Sequence, residues 1–358
     1  MVAKALQASI NKLYEGGPHM LTCHGANNAL KMLSRTLCGF FIGWIMLAEL
    51  NAQTQSFGSG SNLMYIDFVT VGNPGNPADT FYRIDPPYSS QRFGRVDYIY
   101  NISKYEISKD MIDKANINGS LGITYSNLST QPSHAASTIS WFEAAKFVNW
   151  LNTSKGYQPA YNFINNSYFG LWDVNNAVST SNRYRHKNAY YFLPSVDEYY
   201  KAAFYDASIN YYWKYSNRMD GDYSWTAPTP VPYGTAQNTL VYDQPFPWEG
   251  GISIPDIYNE GGLSYYGTMG QSGGVSEWLE TSADNVNDNI NENKKVAGGN
   301  WLTGYYNLGK DNMISHYPSL EASELGFRVA SIPEPSTSSL ILFGTIVVFK
   351  LKRFYENT

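Results

Sequence analysis

The sequence predicts one mixed domain in which long loops join short strands and a few helices. Glycine, proline, asparagine and serine recur throughout residues 53–332, as is typical of chains rich in turns. The same stretch contains neither a low-complexity linker nor a repeat of fixed period, which favours one continuous domain. Two helix-capping patterns within it mark the starts of helices.

Each capping pattern predicts a helix. Ser140 precedes Glu143 at the spacing of a capping box, and Ser195 and Glu198 repeat it. Residues at helical spacing then form one apolar face after each box, namely Trp141, Ala144, Ala145, Val148 and Leu151, and then Tyr199, Ala202 and Ala203. A shorter helix is predicted over 108–115, and alternating runs predict strands over 98–102, 296–300 and 327–331.

Composition indicates a globular protein and excludes nucleic-acid binding. Hydrophobic residues make up 43% of the chain and charged residues 15%, and 30 tyrosines and 9 tryptophans supply large rings that pack around loops. The formal net charge is -5, and lysine and arginine form no stripe interleaved with aromatic residues. Nothing in the sequence therefore provides the positive surface that nucleic-acid binding requires.

The chain contains only two cysteines, Cys23 and Cys38. Both lie at or before an apolar run at 37–50, which follows Lys31 and Arg35 and precedes a polar stretch. Charge, short apolar core and polar boundary in this order predict a secretory signal within residues 1–52, with translation starting at Met1, Met20 or Met32. A transmembrane anchor is the alternative. After signal removal, residues 53–331 have no thiol for a disulfide, a metal site or a nucleophile.

The C-terminal segment, residues 332–358, resembles a PEP-CTERM sorting signal. Pro333, Glu334 and Pro335 precede an apolar run from Leu340 to Phe349, and Lys350, Lys352 and Arg353 follow. The resemblance implies an exosortase-type sorting machinery as partner and an inner-membrane anchor through residues 340–349, with the basic end inside. A plain tail anchor is the alternative. Both place the domain outside the cytoplasm, in the periplasm, at the cell surface or in the extracellular matrix.

Six phrases in order resemble the formylglycine-generating-enzyme, or sulfatase-modifying-factor, family. They are Tyr-Glu-Ile-Ser at 105–108, Ile-Ser-Trp-Phe-Glu-Ala-Ala at 139–145, Phe-Leu-Pro-Ser-Val-Asp-Glu-Tyr at 192–199, Tyr-Gly-Thr at 266–268 leading to Gly-Gly-Val-Ser-Glu-Trp at 273–278, Gly-Gly-Asn-Trp at 298–301, and Leu-Gly-Phe-Arg-Val at 325–329. The resemblance implies a C-type-lectin-like variant of α+β type, with a small antiparallel sheet, two helices and extensive coil.

The resemblance also implies where catalytic residues would lie. The family's enzymes bind copper through two cysteines, and their positions here are Thr303 and Leu308, so copper is not expected. Another branch binds iron through three histidines. The corresponding candidates, His134, His186 and His316, are widely spaced in sequence, and loop or surface positions are the favoured interpretation.

Structural calcium is the cofactor that the resemblance implies. Carried over by position, Glu277 would contribute its carboxylate, and Gly273 and Val275 their carbonyls; a second site would use Asn238. Gly274 stands where the family usually has asparagine, and Ser276 where it has tryptophan. The alternative for Glu277 is a carboxylate that caps a buried loop through hydrogen bonds, and Arg328 is interpreted as structural.

The resulting hypothesis is an exported surface or matrix protein whose catalytically degenerate domain acts in binding or structure. One alternative is a metal-dependent oxidoreductase, of the non-heme iron type, that uses a site without cysteine. A second is a carbohydrate-binding module, and the ligand in a binding role would be an extracellular polysaccharide or a protein. Trp141, Trp150, Trp278 and Trp301 lie in the family-like phrases or helices and are predicted to pack in the core.

Overall fold

The structure, a computed structural model, describes residues 53–81, 91–126, 128–165, 167–221, 227–245 and 254–333. Within these ranges the helices are α1 (Lys109–Gly119), α2 (Trp141–Ser154) and α3 (Val196–Phe204), and 3₁₀ turns cover Gly60–Asn62 and Tyr305–Asn307. The strands are β1 (Gln53–Phe57), β2 (Met64–Val71), β3 (Tyr100–Ser103), β4 (Asn162–Ile164), β5 (Tyr168–Gly170), β6 (Ala177–Ser179), β7 (Asn182–His186), β8 (Tyr191–Phe192), β9 (Tyr205–Asp206), β10 (Tyr211–Tyr212), β11 (Thr229–Pro230), β12 (Thr239–Leu240), β13 (Ser276–Ser282), β14 (Lys294–Ala297), β15 (Met313–His316), β16 (Leu325–Gly326) and β17 (Ala330–Ser331).

The larger sheet contains both the first and the last strand of the described residues. Its order is β1-β2-β3-β17-β8, and every neighbouring pair is antiparallel. Ala330 of β17 lies opposite Ile102 on one side and opposite Phe192 on the other. The last strand of the described residues therefore occupies an interior position between β3 and β8, two strands from much earlier in the sequence.

The second sheet, in the order β15-β14-β13-β16, carries the residues of greatest chemical interest. Its β13–β16 pair is parallel and its other pairs are antiparallel. Every residue of β13 and β14 is buried, including the charged ones. Buried charges need partners within hydrogen-bonding distance, and Glu277 and Glu280 of β13 each form a buried ion pair with an arginine.

The predicted helix starts are confirmed. Both capping boxes are present, with Ser140 accepting from the Glu143 amide at 3.3 Å and Ser195 accepting from the Glu198 amide at 3.3 Å. Helix α1 is also present, capped by Ser108, but it continues to Gly119. Its C-cap residue Ser120 has a left-handed conformation, which ends the helix.

The start of α2 is tied to β13 by two tryptophans. The Trp141 indole donates to the Leu279 carbonyl at 2.9 Å, and the Trp278 indole donates to the Ile139 carbonyl at 2.7 Å. Both rings are fully buried, and the hydrogen bonds satisfy their only polar atoms. Trp150 and Trp301 are also buried, so the prediction that these four tryptophans pack in the core is confirmed.

The predicted strands are correct in place and wrong in extent. The strand at 98–102 is shifted to Tyr100–Ser103, and the strand at 296–300 is Lys294–Ala297. Gly298 has φ +95°, a left-handed backbone that ends the latter strand. Within the run at 327–331 only Ala330–Ser331 form a strand, which is β17. The preceding strand, Leu325–Gly326, belongs to the other sheet. The described residues are mostly antiparallel sheet with three helices, as the fold class requires.

No helix in the described ranges is long and apolar enough to span a membrane. The predicted signal at 37–50, the apolar run at 340–349, and the sorting residues Glu334 and Pro335 lie outside the described residues. Pro333 is the last residue described and is half-buried.

Candidate functional site

The centre of the candidate site is a fully buried ion pair between Glu277 of β13 and Arg328, which lies between β16 and β17. The Arg328 Nε donates to Glu277 Oε2 at 2.6 Å, and its Nη2 donates to Oε1 at 2.7 Å. Neither side chain has any exposed surface. Such a two-pronged contact is the strongest geometry for a guanidinium and a carboxylate.

The rest of the Arg328 guanidinium holds backbone carbonyls from two other segments. Its Nη1 donates to the carbonyls of Ser103 and Lys104 at 3.1 and 3.3 Å, and its Nη2 donates to the carbonyl of Met269 at 2.8 Å. Through these hydrogen bonds Arg328 connects the end of β3 and the loop before β13 to Glu277. The structural interpretation of Arg328 is confirmed by these contacts.

The four residues predicted to bind calcium do not share one environment. Both Glu277 oxygens are held by Arg328, and Asn238 lies exposed in the loop before β12. Gly273 and Val275 donate their amides, to the Gly298 carbonyl at 2.8 Å and to Glu106 Oε1 at 2.9 Å. The structure brings Gly273, Val275 and Glu277 together but gives Glu277 the role of an ion-pair partner. Calcium binding by this set stays a prediction.

Two further carboxyl groups, which sequence analysis did not single out, lie beside this ion pair. Glu106 follows β3 and Glu260 precedes the loop that leads to β13, and both are buried, with 1% and 0% of their surface exposed. Burial raises the pKa of Glu260 to about 8. Burial, reinforced by the charge of Glu260, raises the pKa of Glu106 well above its usual value. The only sequence signal was the position of Glu106 within a family-like phrase.

The positions of the family's catalytic cysteines are occupied by residues with structural contacts. The Thr303 hydroxyl donates to the Asn300 carbonyl at 2.9 Å and accepts from the Asn300 amide at 3.1 Å, which closes a tight turn. Thr303 lines a small cavity of about 120 Å³. Leu308 is fully buried in an apolar cluster with Tyr215, Leu240 and Tyr242. Neither side chain can supply a thiolate, so a copper site of the cysteine type does not fit these residues.

A second buried charge network centres on Arg185 of β7. Its Nε donates to Glu280 at 2.8 Å, and its Nη1 and Nη2 donate to Glu198 at 3.2 and 3.0 Å. The guanidinium carbon lies 3.6 Å from the centre of the Phe192 ring. Glu198 is also the glutamate of the α3 capping box, so one carboxylate caps a helix and binds Arg185. No sequence pattern marked Arg185.

A polar cavity of about 320 Å³ opens beside this network. Hydroxyl, amide and carboxyl groups dominate its lining, contributed by Asn182, Ser195, Asp197, Thr281, Asn285 and Asn287. Asp197 accepts from the Gly94 amide at 2.8 Å, and burial raises its pKa to about 6. These groups suit a hydroxyl-rich ligand because they offer both donors and acceptors.

The histidines proposed as iron ligands lie on separate elements. His134 lies in the loop after α1, His186 ends β7, and His316 ends β15. His186 packs against Trp172 with ring centres 4.7 Å apart, and His316 lies near Trp278 at 6.4 Å. In the part of the chain that the structure describes, no three His, Cys, Asp or Glu residues are grouped so as to hold a metal ion.

Lys294 of β14 is a buried amine whose ionisation should be measurable. Its Nζ donates to the Tyr184 hydroxyl at 2.6 Å and lies 3.9 Å from the centre of that ring. Burial lowers the pKa of Lys294 to about 7, although Glu292 and Asp284 act in the opposite direction. The ordinary pKa of an unfolded lysine is about 10.4. At pH values between the two pKa values, Lys294 binds a proton in the unfolded chain but not in the native protein.

Replacing Lys294 with methionine is expected to remove one component of the pH dependence of stability. The free energy of unfolding of the wild type, relative to Lys294→Met, should rise with pH by up to about 1.4 kcal/mol per unit between about pH 8 and 9.5. Urea unfolding of both proteins across this range measures the difference. Parallel stability curves would show that Lys294 stays protonated in the native state.

Comparisons with known proteins agree with this architecture. Residues 92–332 match the model of a family described as the sulfatase-modifying factor enzyme 1-like domain. The fold is similar to that of variable protein 1 of Treponema denticola, with 17% identity, a TM-score of 0.55, and coverage of 79% of this chain and 100% of that one. It is also similar to CarF, with 17% identity, a TM-score of 0.52, and coverage of 75% and 99%. No curated protein matches the chain.

Proposed function

The chain belongs to the family of sulfatase-modifying factor enzyme 1-like domains, and from this membership we propose that it is an exported protein whose domain keeps the family fold without its cysteine chemistry. In this role the domain acts in binding or structure at the cell surface or in the extracellular matrix. We also infer that the fold is the C-type-lectin-like variant. The five-stranded and four-stranded sheets, the three helices and the long irregular segments of the described residues support that inference.

The observation that carries the proposal is the distribution of cysteine. Cys23 and Cys38 are the only two in the chain, and both lie within the predicted leader region. At the corresponding catalytic positions, Thr303 closes a turn and Leu308 packs among apolar side chains. A thiolate is the nucleophile and the copper ligand of the family reaction, and neither residue can replace it.

Export and sorting are proposed from the two ends of the sequence. The leader at 37–50 and the Pro-Glu-Pro motif followed by 340–349 support transfer across the inner membrane, with exosortase-type machinery as partner. The position of the last described backbone contact also supports this proposal. The Ile332 amide donates to the Tyr190 carbonyl at 3.0 Å, so the sheet ends directly before Pro333. Processing near the motif would therefore leave the sheet intact.

The proposal predicts that the mature chain, freed of the predicted leader that contains Cys23 and Cys38, does not oxidise cysteine to formylglycine. A cysteine-containing peptide incubated with the chain and copper should remain unmodified, because no thiolate is available to bind the metal or to exchange with the substrate. Mass spectrometry and aldehyde capture measure the product, and a cysteine-bearing enzyme of the same family is the positive control. Aldehyde formation above background would overturn the proposal, as would stoichiometric copper or iron in the protein as purified.

A carbohydrate-binding role is the second candidate, favoured by the polar cavity beside Arg185. Asn182 of β7 and Thr281 of β13 contribute an amide and a hydroxyl from strands, and Asn285 and Asn287 contribute amides from the loop after β13. A glycan-array screen of the full-length chain, repeated with Asn287→Ala, tests this role. Binding that the substitution abolishes would support it, and the lack of any glycan signal would exclude it.

A further inference from the structure

The indole N–H of Trp150 is a hydrogen-bond donor that the fold leaves without an acceptor. Trp141, Trp172, Trp213 and Trp278 each donate this N–H to a protein oxygen. Among the described residues the N–H of Trp150 has no acceptor, although only 7% of the residue is exposed. Two cavities open at this ring. Because a buried indole usually finds a partner for its N–H, the acceptor must be solvent or a ligand in these cavities.

Gly119 keeps this N–H accessible. It is the last residue of α1, and it lines the first of the two cavities. A Cβ at this position would lie 2.5 Å from Trp150 Cδ1 and 2.9 Å from Trp150 Nε1. A larger residue would therefore cover the edge of the indole or displace the ring.

The two cavities share residues on one face of α2. The first has a volume of about 340 Å³ and the second about 370 Å³, and Trp150 and Thr153 line both. Lys146 lines the first cavity and Ser154 the second. These four residues follow helical spacing, so they lie on the same side of α2. Together the cavities form the α2 groove, which can hold a ligand that extends past Trp150 in both directions.

Side-chain amides hold both walls of the α2 groove in place. Asn149 of α2 accepts from the Tyr161 amide at 2.8 Å and donates to the Tyr161 carbonyl at 2.7 Å, directly before β4. Asn116 of α1 makes the same two bonds to Ile123, at 2.9 and 2.8 Å, and residues 120–121 between them line the groove. A groove with fixed walls costs a ligand little ordering free energy on binding.

The α2 groove carries a positive charge without a counter-charge. The Lys146 Nζ lies 5.8 Å from the centre of the Phe163 ring and forms no ion pair with any described residue. No acidic side chain of the described ranges lines either cavity. The hydroxyl groups of Ser120, Thr153 and Ser154 add both donors and acceptors. Such a lining suits a ligand that has a negative group together with hydroxyl groups.

We propose that the α2 groove binds an acidic polysaccharide, with the negative group of one sugar on Lys146 and an oxygen of the same chain accepting from the Trp150 N–H. A polysaccharide fits better than a peptide, because hydroxyl and amide groups are spread along the groove and no deep apolar pocket offers a place for an anchoring side chain. This inference rests on the binding role proposed above. It assigns a site that shares no lining residue with the cavity beside Arg185.

Matched polymers test the proposal by isothermal titration of the full-length chain. Oligogalacturonate is compared with its methyl ester, and dextran sulfate with dextran. At least one acidic member should bind, and its neutral counterpart should bind about tenfold more weakly or worse, because the charge-assisted hydrogen bond to Lys146 is lost. The pair that responds shows whether a carboxylate or a sulfate occupies the groove. The proposal is overturned if neither acidic polymer binds, if the neutral polymers bind equally well, or if polyglutamate competes as effectively.

Two variants locate the site. Lys146→Gln should weaken binding of the acidic polymer about tenfold or more. Lys155→Gln is the matched control, because Lys155 also lies over an aromatic ring, 5.2 Å from the centre of Phe57, but lines neither cavity. It should bind as the wild type does, and an equal loss in both lysine variants would overturn the assignment. Gly119→Ala should also weaken binding, without a change of charge, because its methyl group covers the indole N–H.

Asn287→Ala separates this inference from the proposed function. The substitution lies in the cavity beside Arg185 and should leave binding of the acidic polymer unchanged. If Asn287→Ala lost affinity while Lys146→Gln kept it, the polysaccharide would bind beside Arg185. The α2 groove would then be excluded as the site, and the proposed binding role would stand.

Discussion

Replacing Arg328 with methionine is expected to destabilise the protein by about 3–5 kcal/mol, the cost of leaving a buried charge without its partner. Glu277 would lose both of its hydrogen bonds to the guanidinium, and the carbonyls of Ser103, Lys104 and Met269 would lose their donor. Methionine is of similar length, so packing volume is largely kept. The loss therefore reports the polar contacts, and urea unfolding measures it.

Arg95→Met is the control for this experiment. Arg95 also pairs with an acidic residue, Asp97, but the two side chains are 59% and 65% exposed, so its loss should cost less than about 1 kcal/mol. The double variant Glu277→Gln/Arg328→Met should recover part of the stability, because the stranded carboxylate is removed. An Arg328→Met protein as stable as Arg95→Met would contradict the role assigned to this ion pair.

A comparable loss, about 3–5 kcal/mol, is expected for Arg185→Met. Arg185 is the shared partner of Glu198 and Glu280, both fully buried, and its removal would leave two carboxylates facing one another without a cation. Arg185→Lys should recover less than half of the loss. A single ammonium cannot reproduce the fork that contacts both glutamates, nor the contact of the guanidinium carbon with the Phe192 ring, 3.6 Å from its centre.

Thermal and urea unfolding of the two Arg185 variants would distinguish charge from geometry. Equal stability of Arg185→Lys and the wild type would mean that charge alone suffices and that the fork geometry is unimportant. Arg183→Met is a suitable control, because Arg183 lies on the same strand and its Nε donates to a single backbone carbonyl, that of Trp172, at 3.1 Å. That substitution should cost no more than about 1–1.5 kcal/mol.

Local signals in the sequence predicted local structure well. The capping boxes at Ser140 and Ser195 placed the first residues of two helices, because the interactions that start a helix lie within four residues of each other. The four tryptophans were correctly assigned to the core. The ordered family-like phrases predicted the fold, and the family match over 92–332 agrees with them.

Contacts between residues far apart in the sequence could not be predicted from local patterns. Glu106 and the Val275 amide that it binds are separated by 169 residues, and Arg185 and Glu280 by 95. No spacing rule connects such residues, so the carboxyl pair and the Arg185 network could not be derived from pattern alone. Glu277 shows the same limit, because its position in a phrase did not reveal that Arg328 would occupy both of its oxygens.

The interior position of β17 has a consequence for how the protein is made. Until residues 330–331 emerge, β3 and β8 each present an unpaired edge to solvent, and neither can complete its hydrogen bonds. The larger sheet therefore cannot close cotranslationally from its beginning; it closes when the last part of the domain becomes available. A chain shortened before Ala330 would leave both of these edges open, and exposed strand edges are templates for aggregation.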